Sequence, residues 1–413
     1  MMAASSTRAG LSEARLEHIA EHLERSYVAP RKIAGCQVAV ARRGEMAYFR
    51  SLGEMDREKR KPMADDAIFR IYSMTKPITS VALMTLYERG YFQLHDPVSK
   101  FFPAWKNLRV WVSGAGEDMV TEEARRGPSM LDMLCHTGGL TYGGGLTQFG
   151  SPSIAPEVDQ VYVEAGIQRG GGETLMSFMD KLATAPLFFQ PGERWLYSYS
   201  TDVCGALVER ISGVPFEQYL QSAIFEPLGM KDTAFQVSAD KVDRLCANYI
   251  RLPDKSLRLY DAPQTSTYLE KPTFPSGGGG LTSTTQDYLR FCEMVRRGGE
   301  LDGARILGPR TVSMMRRNFL KDGVDLATLS AGGFSETVDK GVGFGLGFAS
   351  VFDPVRNGSI SAGDFYWGGL ASTIFWIDQA EELSVVFMTQ LIPSAAFDFR
   401  GQLKSLIYSA IED

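Results

Sequence analysis

The sequence predicts an α+β fold, one largely antiparallel sheet with helices packed on it and a mainly helical insertion dividing it. Two patterns point this way: β-prone apolar runs crowd the first and last parts of the chain, and short helical patterns separated by Gly- and Pro-rich stretches fill the middle. The third observation is size, since 413 residues with 44% hydrophobic side chains exceed one ordinary domain and can bury a large core. The expected division assigns residues 1–90 and 275–413 to the sheet part and 91–274 to the insertion, with a site between them.

Each element has a local reason. Leu16, Ile19, Ala20, Leu23 and Tyr27 recur at helical spacing behind Ser12, a candidate N-cap. Gly35–Ala41 and Met46–Arg50, joined by Arg42-Arg43-Gly44, read as a hairpin, and Ile68–Tyr72 as a short strand. A helix is expected from about Ser73 to Gly90, because Pro77 lacks the N–H that a helix interior requires and must sit near its first turn. In the middle, helices are expected at Ser129–Cys135, Thr174–Leu182, Thr201–Ile211 and Phe216–Ile224. Residues 141–172, with glycine triplets near both ends, are long for a plain connection and are expected to be a lid or a surface excursion. Ser276-Gly277-Gly278-Gly279-Gly280 then leads into a helix over Thr284–Arg296. Strands follow at Phe344–Phe352, Asp364–Trp367, Ser372–Ile377 and Leu383–Thr389, with a last helix over Phe397–Ile411.

Composition removes several functions. Forty-three basic against 49 acidic side chains give a net charge of −6, so no footprint for nucleic acid or an anionic membrane is visible. No apolar run approaches the ~18 residues that a membrane span needs, and the amphipathic N-terminal region lacks a secretory core; cytoplasmic residence is the expectation. The five cysteines have no metal-type spacing and are expected to be buried free thiols. His18 and His22 fall at i, i+4 on the first helix, a spacing that reads as surface helix beside Glu17, Glu21 and Glu24; no metal site is expected. The chain has four histidines and no Gly-x-Ser-x-Gly elbow, so a serine hydrolase built on it would use another base.

Ser73 and Lys76 lie three residues apart at a helix N-terminus, on one face and within mutual reach. A hydroxyl becomes a nucleophile when a neighbouring base takes its proton, and helix N-terminal N–H groups stabilise an oxyanion beside it. Ser-x-x-Lys alone is weak, and Ser238-Ala239-Asp240-Lys241 repeats it; there Ser238 reads as an N-cap. Ser73 differs by the strand before it, the apolar helix after it and the pinning proline.

With these residues the chain resembles the serine β-lactamase and penicillin-binding-protein superfamily, and within it the family VIII carboxylesterases with their class C β-lactamase-like sites. The similarity runs along nearly the whole chain: Ile71–Lys76 resembles the first motif, Leu131–Leu140 a helix-end segment, and Pro191–Ser200 the stretch with the second motif's tyrosine. Ser276–Thr284 and Gly343–Phe348 are further matches, and Trp367-Gly368-Gly369 falls where the third motif belongs. The resemblance implies a β-lactamase-like fold, Ser73 as acylated nucleophile, and Tyr197 with Lys76 as proton relay. A free tyrosine has a pKa of ~10, so a nearby cation is needed to favour its phenolate. The backbone N–H groups of Ser73 and Leu370 are expected to form the oxyanion hole, and Trp367, Gly368, Gly369 and Tyr199 to contact substrate. No cofactor is implied.

Two motifs depart from the β-lactamase pattern. Tyr-x-Asn is replaced by Tyr197-Ser198-Tyr199, and the third-motif lysine and threonine are absent from Trp367-Gly368-Gly369; His136-Thr137-Gly138 only mimics that motif at the end of a helix. Lost with them are the groups that would hold a carboxylate, so an uncharged, compact ester is the expected small-molecule substrate. The alternatives on the same site are an acyltransferase, a weak β-lactamase or a D-amino acid peptidase. A non-catalytic penicillin-recognising protein is the alternative of another class. Oligomeric state is left open by the sequence.

Overall fold

The computed structural model describes residues 7–145, 147–149, 152–170, 172–332, 340–361 and 363–413. The elements that position the site are, in chain order, helix α1 (Glu13–Leu23), strands β1 (Gly35–Arg42), β2 (Glu45–Asp56), β3 (Lys61–Pro62) and β4 (Ile68–Arg70), and helix α2 (Thr75–Glu88). Helices α3 (Met130–Cys135), α4 (Pro156–Glu164), α5 (Leu175–Leu182) and α6 (Ser200–Ser212) follow. Strand β5 (Thr282–Thr284) and helix α7 (Thr285–Arg296) precede β6 (Val342–Phe344), β7 (Ala349–Val351), β8 (Phe365–Gly368), β9 (Ile374–Asp378), β10 (Leu383–Thr389) and helix α8 (Phe399–Tyr408).

Eight strands form one antiparallel sheet in the order β6-β7-β8-β9-β10-β1-β2-β3. The N-terminal hairpin therefore sits beside the C-terminal strands: Val40 of β1 is opposite Val385 of β10. Every residue of β1, β8, β9 and β10 is buried, which requires cover on both faces. Successive side chains alternate between faces. Phe387 of β10 meets Phe399 of α8, whereas Phe375 of β9, paired with Val386 and so on the other face, meets Tyr288 of α7. The α1/α8 pair thus covers one face, and α7 with α2 the other, since the Tyr288 hydroxyl donates to the carbonyl of Met74 at the start of α2 (2.8 Å).

The middle of the chain carries helices α3 to α6, and α6 packs along α2. Ser129 and Thr174, the first residues of two expected helices, act as N-caps, Ser129 in a capping box with Asp132 and Thr174 in one with Ser177, whereas Ser12 and Ser238, the two expected N-caps, precede their helices without a side-chain cap bond. The stretch 141–172 is not structureless, because it contains α4, whose Val158 and Tyr162 are buried. Leu146, Gly150, Ser151 and Gly171 of that stretch lie outside the described residues. Phe344–Phe352, read as one strand, is two: Gly347 takes a positive φ of 95° and the chain turns back, making the β6–β7 hairpin. Arg109–Ser113 and Val120–Glu123 form another hairpin that the sequence reading missed.

The five cysteines are free and buried. His22 bonds Gln402 of α8 at 2.8 Å, and His18 is exposed. Among the described residues no helix is long and apolar enough to cross a membrane, and no cluster of His, Cys, Asp or Glu has the makings of a metal site.

Candidate active site

Ser73 lies in a single 3-10 turn, Tyr72–Met74, that joins β4 to α2, so α2 proper begins two residues later than expected. The turn is forced: Tyr72 has a φ of +42°, a region that bulky L residues rarely enter. It is held from two sides. The Ile71 N–H donates to Leu281 (3.1 Å), while the Ile71 carbonyl accepts from Met74 (3.0 Å). Residue 369 packs so closely on that carbonyl and on the Thr373 hydroxyl that a Cβ there would collide with both. We expect Gly369→Ala to cost about 1–3 kcal/mol of stability, the usual cost of overpacking, and to lower kcat as well, because any relief moves the Ser73 turn. Denaturant unfolding beside steady-state rates checks both.

Lys76, one turn on, is buried, with its Nζ 3.2 Å from Ser73 Oγ and 2.5 Å from the Gly278 carbonyl, to which it donates. The same loop is tied to α2 twice more: Thr79 Oγ1 donates to the Gly277 carbonyl (2.8 Å), and the Leu281 N–H donates to Thr75 Oγ1 (3.1 Å). Nζ lies 4.4 Å from the centre of the Tyr197 ring and 5.7 Å from that of Tyr142. Burial pushes the Lys76 pKa well below its ordinary value; the Arg169 charge lowers it further, and Asp202 opposes. The amine is therefore biased towards its neutral form, able to accept a proton from Ser73.

Tyr197 is packed between Trp195, stacked at 6.1 Å, and Trp367 at 5.4 Å. The Trp367 indole N–H donates to the Tyr197 hydroxyl (3.3 Å). Trp367, expected to contact substrate, is instead fully buried, and it touches Tyr197 rather than the cavity. Gly368 ends β8 and is buried, and Gly369 faces the Ile71 carbonyl, so neither lines the cavity. His136 caps α3 in a left-handed conformation, as its place at a helix end suggested. Its ring is buried 5.0 Å from that of Tyr197, and burial, with Lys76 nearby, lowers its pKa well below the usual range.

A cavity of about 300 Å³ opens over Ser73. Its walls are aromatic (Tyr72, Tyr142, Phe149, Tyr197, Tyr199 and Tyr260), with Leu370, Gly278 and Gly279 beside the serine and Gln168 and Arg169 at one side. Of the residues expected from sequence, Ser73, Tyr197, Tyr199 and Leu370 thus share one cavity, and Lys76 lies directly behind. Burial pushes Tyr199 up to about 12. Arg169 was not anticipated. It brings a cation to the cavity, paired through Nη2 with Asp202 at 2.7 Å.

The site thus places a serine and a lysine three residues apart, with a tyrosine ring across the amine. The Beta-lactamase family model fits residues 20–406, and the chain belongs to that family. Among its relatives, Protein Rv1367c of Mycobacterium tuberculosis is 34% identical over 370 residues, covering 89% of this chain and 88% of the relative. Esterase EstB of Burkholderia gladioli is 32% identical over 379 residues, covering 87% and 86%. Among solved structures, EstCE1, a hydrolase with promiscuous acyltransferase activity, superposes with a TM-score of 0.75 at 26% identity, covering 97% of this chain and 98% of its own.

Proposed function

We propose that the chain is a serine esterase that cleaves compact, uncharged carboxylic esters through an acyl-enzyme on Ser73. The observation that carries this reading is the 3.2 Å approach of the Ser73 hydroxyl to a buried amine whose pKa burial lowers, beside a cavity walled by aromatic rings. The 32% identity to Esterase EstB supports the same chemistry. Lys76, with Tyr197 across its Nζ, takes the hydroxyl proton as Ser73 Oγ bonds to the ester carbonyl carbon. The resulting oxyanion is held by the N–H groups of Ser73 and Leu370. Collapse breaks the bond to the alcohol oxygen, which leaves with the proton returned by the relay. Water then attacks the acyl-serine by the same route in reverse, releasing the acid and restoring the hydroxyl.

Two features favour esters over β-lactams. Trp367 of β8 stands where a third-motif lysine would hold a substrate carboxylate, and Arg169, the cation among the described residues that line the cavity, is already paired with Asp202. An alcohol in place of water would make the same acyl-enzyme a transferase, a reading favoured by the likeness to EstCE1.

The test is to mix the protein with p-nitrophenyl butyrate and with a chromogenic cephalosporin, following rates and intact mass. Ester turnover with a butyryl adduct on Ser73 is expected, with the cephalosporin slower by about 10²-fold or more, the scale of an unmet charged contact. Ester turnover without an adduct on Ser73, or preferential cephalosporin hydrolysis, would sink the reading.

A further inference from the structure

We propose that Arg169 and Asp202 are positioning residues, forming a clamp that fixes the Gly278 carbonyl and thereby the amine of Lys76 against Ser73. This rests on the reading of Lys76 as the proton acceptor. Asp202 is wholly buried in the first turn of α6, five residues after Tyr197, and both carboxylate oxygens are engaged. Oδ1 accepts from the Ser276 hydroxyl (2.6 Å) and from the Gly278 N–H (3.1 Å). Oδ2 accepts from Arg169 Nη2 (2.7 Å) and Nε (3.2 Å). The carbonyl of that same Gly278 receives the Lys76 amine at 2.5 Å. One continuous path thus joins Arg169, Asp202, Gly278, Lys76 and Ser73.

Two further observations show that the path is built. A Cβ at residue 278 would run into both Arg169 Nη2 and the Asp202 carboxylate, so the bridge requires glycine there. The guanidinium also lies against two cavity rings, Tyr142 at 5.1 Å and Tyr199 at 5.3 Å, an arrangement suited to its flat, delocalised charge. Arg169 follows α4, within the stretch 141–172, so the clamp ties this side of the cavity to the base of the nucleophile's helix.

The clamp has an electrical consequence that a purely structural brace lacks. The titratable and charged groups around Lys76 are His136, Tyr142, Tyr197, Arg169 and Asp202; of these the two clamp residues bear opposite charges and bias the amine in opposite directions. Neutralising Arg169 leaves the carboxylate unopposed and favours the ammonium form. Neutralising Asp202 leaves the guanidinium unopposed and favours the free amine.

The experiment is the pH profile of kcat/KM on a short-chain p-nitrophenyl ester for wild type, Arg169→Gln, Arg169→Lys and Asp202→Asn, with thermal melts to confirm folding. Arg169→Gln should move the acid limb to higher pH, losing about tenfold at pH 6 and recovering much of it by pH 9, a factor equal to one unit of limb displacement. Asp202→Asn should move the limb the other way, with a lower plateau from the loosened loop. Arg169→Lys, which keeps the charge, should keep the wild-type limb and lose only plateau rate. Arg169 is about one-third exposed, so its variants carry the test even where Asp202→Asn does not fold. Arg169→Gln profiles superimposable on wild type, or displaced equally by Arg169→Lys, overturn the clamp while leaving the esterase reading intact. A wild type that never acylates on Ser73 overturns the esterase reading instead.

Discussion

Replacing Ser73 by alanine should lower kcat on p-nitrophenyl esters by about 10⁴-fold or more, the scale seen when a hydrolase loses its nucleophile. KM should change little, because the cavity walls stay in place. The exchange removes a partner of the Lys76 amine at 3.2 Å but leaves the Gly278 carbonyl at 2.5 Å, so the amine keeps its place and the fold survives. Intact mass should show no acyl adduct on the variant under conditions that label wild type. Purified Ser73→Ala retaining more than about 1% of wild-type turnover, far above the loss expected of a nucleophile, would mean that Ser73 is not the attacking group.

Lys76→Met should be both nearly inactive and more stable. A positioned base is worth about 10²–10⁴ in rate, and methionine fills similar volume without the amine. The stability gain follows from burial, which depresses the folded pKa well below the unfolded value of ~10.4. Between those two values the unfolded chain binds more protons than the folded one, so the wild type gains stability as pH rises through this window. The penalty is thus largest on the acid side, and the Met variant, free of it, should gain on the order of 1 kcal/mol at pH 7, a typical return for relieving a costly functional group. The gain should shrink towards pH 10. Denaturant unfolding at both pH values measures it; a gain that grows with pH would contradict a neutral buried amine. Wild-type kcat/KM should rise with pH through the depressed pKa of Lys76, since catalysis needs the free amine.

The parts of this fold that a reader of the sequence can see are those with local causes. Helix periodicity and caps place α3, α5 and α6 to within a residue or two, because Ser129 and Thr174 act on their own neighbours. The turn at Ser73 is legible from Pro77, although the 3-10 geometry of Tyr72–Met74 is not, since it depends on Gly369 pressing on Ile71 from far along the chain. Arg169 carries no signal: it follows α4 in a glycine-rich stretch without periodicity, and only the fold brings it to Asp202. The place of Trp367 in the chain is visible in the sequence, but its direction is not, because burial behind Tyr197 is a property of the packed sheet. The β6–β7 hairpin hides in a continuous apolar run for the same reason: with both faces covered, strand and turn share one composition.

The pairing of β1 with β10 also governs when this molecule can exist as a working object. Val40 faces Val385, and Arg42 faces Leu383, so one side of the N-terminal hairpin waits for partners about 340 residues later. At synthesis rates of ~5–20 residues per second, that is a delay of roughly 17–70 s during which an apolar strand edge is unpaired. Gly369, which braces the Ser73 turn, is made within the same last stretch. The nascent chain therefore has its serine and lysine in place in the sequence long before it has a catalyst, and the period of greatest exposure to aggregation coincides with the period of no activity.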